Sequence, residues 1–68
     1  MHFLRPALRA ELEALLEAGS CVEFDLGASG NRLCRIRGPA QEVTGAGGTV
    51  DEAATDALRL WVAGRRGA

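Results

Sequence analysis

Leu8, Leu12, Leu15 and Leu16 recur at the spacing of one helical face, with Arg9, Glu11, Glu13 and Glu17 set between them. Pro6 suits a first helical position and Gly19 the position just past a helix end. The pattern predicts an amphipathic helix over about residues 6–18, its leucine stripe turned to a core. The period then changes. In Cys21-Val22-Glu23-Phe24-Asp25-Leu26 apolar and polar residues alternate, as in a strand with one buried face. Val22, Phe24 and Leu26 share the apolar face; Cys21, Glu23 and Asp25 share the other.

Gly27-Ala28-Ser29-Gly30-Asn31 reads as a hairpin loop, with Gly30 or Asn31 able to take a positive φ. The return strand is Arg32-Leu33-Cys34-Arg35-Ile36-Arg37. Cys34 and Ile36 lie on its apolar face; Leu33, Arg35 and Arg37 lie on its polar face. Matching the apolar faces sets Glu23 and Asp25 against Arg35 and Arg37, and opposite charges across a strand pair support that register. Gly38-Pro39 breaks the chain. Gln41-Glu42-Val43-Thr44 predicts a short third strand with Val43 inward, and Gly45-Ala46-Gly47-Gly48 a flexible loop.

Thr49-Val50-Asp51-Glu52 has the form of a capping box, with Glu52 expected to reach back to the Thr49 N–H. A second helix is predicted over about residues 50–63, with Val50, Ala54, Ala57, Leu58, Trp61 and Val62 as its apolar stripe. Gly64 is expected to end it, and Arg65 and Arg66 to complement its negative end. The order is α-β-β-β-α. A three-stranded antiparallel sheet with one apolar face needs cover on that face only. The expected fold is therefore α+β, a two-layer sandwich with both helices on one face of the sheet.

The chain has 68 residues, enough for one domain with one small core, and the expected domain is 1–68. Its net charge is −1, which offers no general attraction to phosphate backbones or anionic membranes. All eight basic residues are arginine, so no lysine is available for a Schiff base or a phosphate loop. No apolar run approaches the ~20 residues of a membrane span, and residues 1–6 lack the apolar stretch of a signal peptide. A cytoplasmic location with two reduced cysteines is the expectation.

Candidate chemistry is sparse. His2, the one histidine, is near the chain start, away from any serine or cysteine that could use it as a base. Two cysteines without a Cys-x-x-Cys spacing make no zinc site, and Cys21 and Cys34 fall on opposite strand faces, which forbids a disulfide. The glycine run before the second helix lacks the lysine or arginine of a phosphate cradle, and acidic residues follow it. Glu23 and Asp25 on an open face read as solvated cross-strand partners rather than an acid–base pair. No catalytic, cofactor or metal residues are expected, and no small molecule is implied.

Gly45-x-Gly47-x-Thr49-x-x-x-Ala53-x-x-x-Ala57 resembles the C-terminal signature of double-stranded-RNA-binding domains, whose element order and length are also similar. That resemblance implies the same fold. The positions where that family carries phosphate-binding lysines are Val50, Asp51 and Ala54 here, and its minor-groove loop is replaced by Ala28-Ser29-Gly30-Asn31. The RNA-binding residues of the family are therefore absent. Gly48-Thr49-Val50-Asp51-Glu52-Ala53 also resembles the helix start of HicB-type antitoxin domains, and small phage and bacterial sandwich proteins look similar in element order.

The function expected is a small non-enzymatic protein-interaction or regulatory module. The candidate partner-binding residues are Leu33, Arg35 and Arg37 on the open sheet face, with a strand edge as a further contact surface. The partner is another protein or a second copy. The alternative is weak nucleic-acid binding through Arg32, Arg35 and Arg37, or an antitoxin-like regulator. Strong binding to nucleic acid is not expected, nor binding to membranes.

Overall fold

A computed structural model describes residues 4–66; His2 lies outside them. The elements are α1 (Pro6–Glu17), β1 (Cys21–Leu26), β2 (Arg32–Arg37), β3 (Glu42–Gly47) and α2 (Val50–Arg66). The strands form one antiparallel sheet in the order β1-β2-β3. Helix α2 lies over β3 and β2, and α1 rests against β1. Leu8 and Leu12 of α1, Cys34 and Ile36 of β2, and Ala53, Ala54, Ala57, Leu58 and Trp61 of α2 make one buried cluster. The fold is the α-β-β-β-α sandwich that the apolar periodicity predicts.

Helix α1 ends as its sequence dictates. Gly19 has φ 95°, a left-handed conformation that turns the following Ser20 N–H back onto Leu15 O at 3.0 Å, while its own N–H donates to Leu16 O at 3.1 Å. In the first hairpin Gly30, not Asn31, takes the positive φ, at 89°. The β1–β2 register sets Val22 on Ile36, Glu23 on Arg35 and Phe24 on Cys34. Asp25 faces Leu33, and Arg37 faces Cys21, so only one of the two expected acid–arginine pairs is directly opposed.

The glycine run is the main departure. Gly45-Ala46-Gly47 is not a loop but the second half of β3, pairing with Cys34, Leu33 and Arg32. Gly45 is buried, and a methyl group there would come within 2.6 Å of Ala53 O and 2.7 Å of Ala57 Cα. These glycines let a helix backbone approach the sheet closely, a role different from marking a turn.

At the start of α2, Thr49 Oγ1 accepts from Glu52 N at 3.1 Å as expected. Glu52 reaches one residue further back than the expected capping box, accepting from Gly48 N at 3.0 Å. Gly64 does not end α2, which runs to Arg66. Gln41 props this stretch, its Nε2 donating to Trp61 O at 3.1 Å.

Two stripe positions also lie outside the core, because Leu16 and Val62 are exposed. On β1 the apolar face points toward the helix layer, yet Phe24 is 43% and Leu26 59% exposed. The cause is coverage: α2 occupies the side of β2 and β3, and the Leu8–Leu12 turns of α1 fill the space beside it. Alternation fixes which face a side chain joins, not whether anything is packed above it.

Candidate functional site

Leu33, Arg35 and Arg37 share the open face of the sheet, as their alternation requires. Leu33 is half-buried there. Arg37 lies 3.4 Å from Glu23 Oε1 on β1 and 3.4 Å from Glu42 Oε1 on β3, which brackets it. Arg35 Nε lies 3.5 Å from Glu42 Oε2, an ion pair without a directional hydrogen bond. Each pair is solvated and contributes about 0–1 kcal/mol to stability. The two carboxylates also quench the field that the two arginines would present to an anion.

Glu42 is the residue that sequence reasoning left unassigned. Its signal was available: once β2 pairs with β3 about Val43, Glu42 falls on the arginine face opposite Arg37. Arg32 belongs to the other face. It pairs with Leu26 and Gly47 at the hairpin end and shares the parity of Cys34 and Ile36. It is therefore not part of a three-arginine patch with Arg35 and Arg37.

A second surface lies between the helices. An open cleft of about 680 Å³ is lined by Ala7 and Leu8 of α1 and by Leu58, Val62 and Ala63 of α2. Of its charged lining residues, Arg5 and Arg59 are engaged internally, and Glu11 adds a further carboxylate. Arg5 donates from Nε to Asp51 at 3.0 Å and from Nη2 to Thr55 Oγ1 at 3.3 Å, and Arg59 donates to Asp56 at 2.6 Å. That leaves an apolar floor between the paired Arg5 and Arg59 and the Glu11 carboxylate, a lining that offers no free cation to an anion.

The two sheet edges differ. Gly27 N donates to Asn31 O at 2.7 Å, so the odd residues of β1 bond to β2 and the even ones, Val22, Phe24 and Leu26, direct their backbone groups outward. By the same alternation the even residues of β3 point away from β2. There Asp56 accepts from Ala46 N at 3.0 Å and Glu52 from Gly48 N at 3.0 Å. The Arg59 hydrogen bond first, and the Ala46 N–H second, hold the Asp56 carboxyl below its ordinary value. The Ala46 end of the β3 edge is thus capped by carboxylates of α2. On β1 the Leu26 N–H is taken by Asp25 Oδ1 at 2.8 Å, and the described residues supply no such partner for Val22 or Phe24.

Both cysteines are free, Cys21 exposed and Cys34 buried, on opposite faces as expected. Burial pushes the Cys34 thiol up to about 11. Alkylation of the folded protein is expected to modify Cys21 quickly and Cys34 only on unfolding, read by mass spectrometry. The native Cys34 thiol keeps its proton longer than the unfolded one. Its contribution is intact below pH 9.0 and is lost as pH rises toward 11. Rapid double alkylation of a protein with native circular dichroism would show that Cys34 is not in the core.

The described residues hold no group of three or more histidine, cysteine or acidic side chains placed to bind a metal, and no helix long and apolar enough to cross a membrane. Comparison with protein-family models, with curated proteins and with solved structures finds no match to this chain.

Proposed function

We propose that this chain is a small protein-interaction module of regulatory rather than enzymatic character. The observation that carries the reading is apolar surface left bare: Phe24 and Leu26 stand 43% and 59% exposed beside an unmasked strand edge. In so small a domain such side chains reduce solubility unless a partner covers them. The interhelical cleft adds a second apolar surface. The open face with Leu33, Arg35 and Arg37 remains a candidate rim, polar and internally neutralised, as rims of interfaces are.

The nucleic-acid alternative is weaker on this surface. Arg35 and Arg37 are shared with Glu23 and Glu42, and Arg32 is on the other face. The start of α2, which the resembling RNA-binding family uses for phosphates, carries Asp51 and Glu52.

The test places a photo-crosslinking residue at Phe24, at Leu33 or at Val62 in the living cell. A discrete protein adduct at one of these sites is expected. In parallel, titration with duplex RNA and DNA at ~150 mM salt is expected to show no saturable binding. Low-micromolar binding that is lost in Arg35→Ala and Arg37→Ala, with no protein adduct at any site, would reverse the reading in favour of nucleic acid.

A further inference from the structure

Resting on that reading, we infer that the free edge of β1 is the docking site, and that its ligand is an extended segment of another protein with alternating basic and apolar residues. Backbone geometry supplies the first part. Val22 and Phe24 direct their N–H and C=O groups away from β2, and nothing among the described residues bonds to them. Unpaired strand edges of this kind take up an added strand, with backbone hydrogen bonds giving affinity and alternate side chains giving specificity. On the opposite edge Asp56 takes the Ala46 N–H and Glu52 the Gly48 N–H just past the strand, so a carboxylate of α2 stands where an added strand would bond at that end.

Charge supplies the second part. Glu23 and Asp25 line the open-face side of β1, and Val22, Phe24 and Leu26 line the helix side. An incoming strand sets every second residue beside one row and the others beside the second row. Basic residues therefore belong beside Glu23 and Asp25, and apolar ones beside Phe24. The fold already contains one strand of that composition against β1, namely β2, with Arg35 and Arg37 on one face and Cys34 and Ile36 on the other.

The same row argues against a second copy as the occupant. A two-fold antiparallel pair of β1 strands must match outward-facing even residues. The two registers that overlap most of the strand set Glu23 against its own symmetry mate, or Glu23 against Asp25 twice. Like charges directly opposite each other oppose pairing. The acids that recruit a basic strand thus also keep the edge from closing on itself.

The test uses the full chain and a synthetic peptide of about six residues alternating valine and arginine. Controls are a valine–glutamate peptide and a peptide with the same valines and arginines in two blocks. Amide exchange is followed by nuclear magnetic resonance. The alternating basic peptide is expected to slow exchange at Val22 and Phe24, and the controls are not. In Glu23→Lys/Asp25→Lys its affinity falls on the order of tenfold and the glutamate peptide gains. Glu23→Gln/Asp25→Asn is expected to self-associate on sedimentation while the natural chain stays monomeric.

Unchanged exchange at Val22 and Phe24 with saturating basic peptide overturns the edge proposal. So does a natural-chain dimer protected at those amides, or equal protection by all three peptides. A protein adduct at Leu33 or Val62 in the crosslinking test would leave the interaction reading standing after such a failure. Absence of any adduct would remove both.

Discussion

Trp61→Ala is expected to destabilise the domain by about 3–5 kcal/mol, comparable with the whole stability of a domain this small. Trp61 is 7% exposed and joins the cluster that links α1, α2 and β2. The edge of its ring lies over the β2–β3 turn, where even a methyl group on Gly38 would come within 2.7 Å of Cη2. Truncation would leave a cavity between the helix and that turn. Neighbours cannot fill it, because most of the facing residues of α2 are alanines already at full burial.

The indole Nε1 is buried without a hydrogen-bond partner, so the residue is held for its volume and not for its polar atom. Trp61→Phe keeps most of that volume and removes the unpaired donor. Its cost should be a small fraction of the alanine cost. Thermal melts followed by far-ultraviolet circular dichroism compare the two. A cooperative melt of Trp61→Ala near the natural temperature would show that the ring does not anchor the core.

Much of this fold is legible in the chain because separate local signals agree. The leucine spacing and Pro6 set α1, Gly19 ends it, and the two alternating runs set a hairpin whose apolar faces match. Thr49 opens α2 with the cap its hydroxyl predicts. What the chain does not announce is distance between layers. Gly45 and Gly47 carry the composition of a loop, yet they are strand residues under a helix. Glycine marks both a turn and a close approach, and only the position of α2 separates the two. Gly64 misleads for the related reason that a glycine ends a helix only when the chain needs a left-handed residue there, and at Gly64 it does not.

The candidate surface is legible in part. Alternation places Leu33, Arg35 and Arg37 on one face, and the structure keeps them together. Alternation alone does not reveal that Glu42 reaches two of those arginines from the third strand, since that depends on register between β2 and β3. Nor does it show that Phe24 and Leu26 stay uncovered. An apolar residue on the inward face of a strand becomes core only if a helix is long enough and placed to lie over it. In this domain one helix of 17 residues and one of 12 leave the hairpin end of β1 bare.

Gly45→Val is expected to abolish folding, and Gly45→Ala to cost about 1–3 kcal/mol or more. The contacts of an added Cβ decide this. It would overlap the backbone N of Ala57 and reach within 2.6 Å of Ala53 O and 2.7 Å of Ala57 Cα. All three atoms belong to helix backbone, which cannot rotate aside as a long side chain can. Relief requires α2 to lift from β3. Lifting it strains the Ala46–Asp56 hydrogen bond at 3.0 Å and opens the layer where Ala53, Ala54 and Ala57 are fully buried. Backbone strain at residue 45 is not the cause, since its φ is not in the left-handed region. The adjacent Ala46 separates steric crowding from strand propensity. It is exposed on the open face, so Ala46→Val should be neutral or slightly stabilising by favouring extended backbone. Chemical denaturation of the three variants reads the difference. A Gly45→Ala midpoint equal to that of the natural chain would mean that α2 does not rest on β3 at this separation. A loss in Ala46→Val equal to that in Gly45→Ala would assign the effect to the strand rather than to the helix above it.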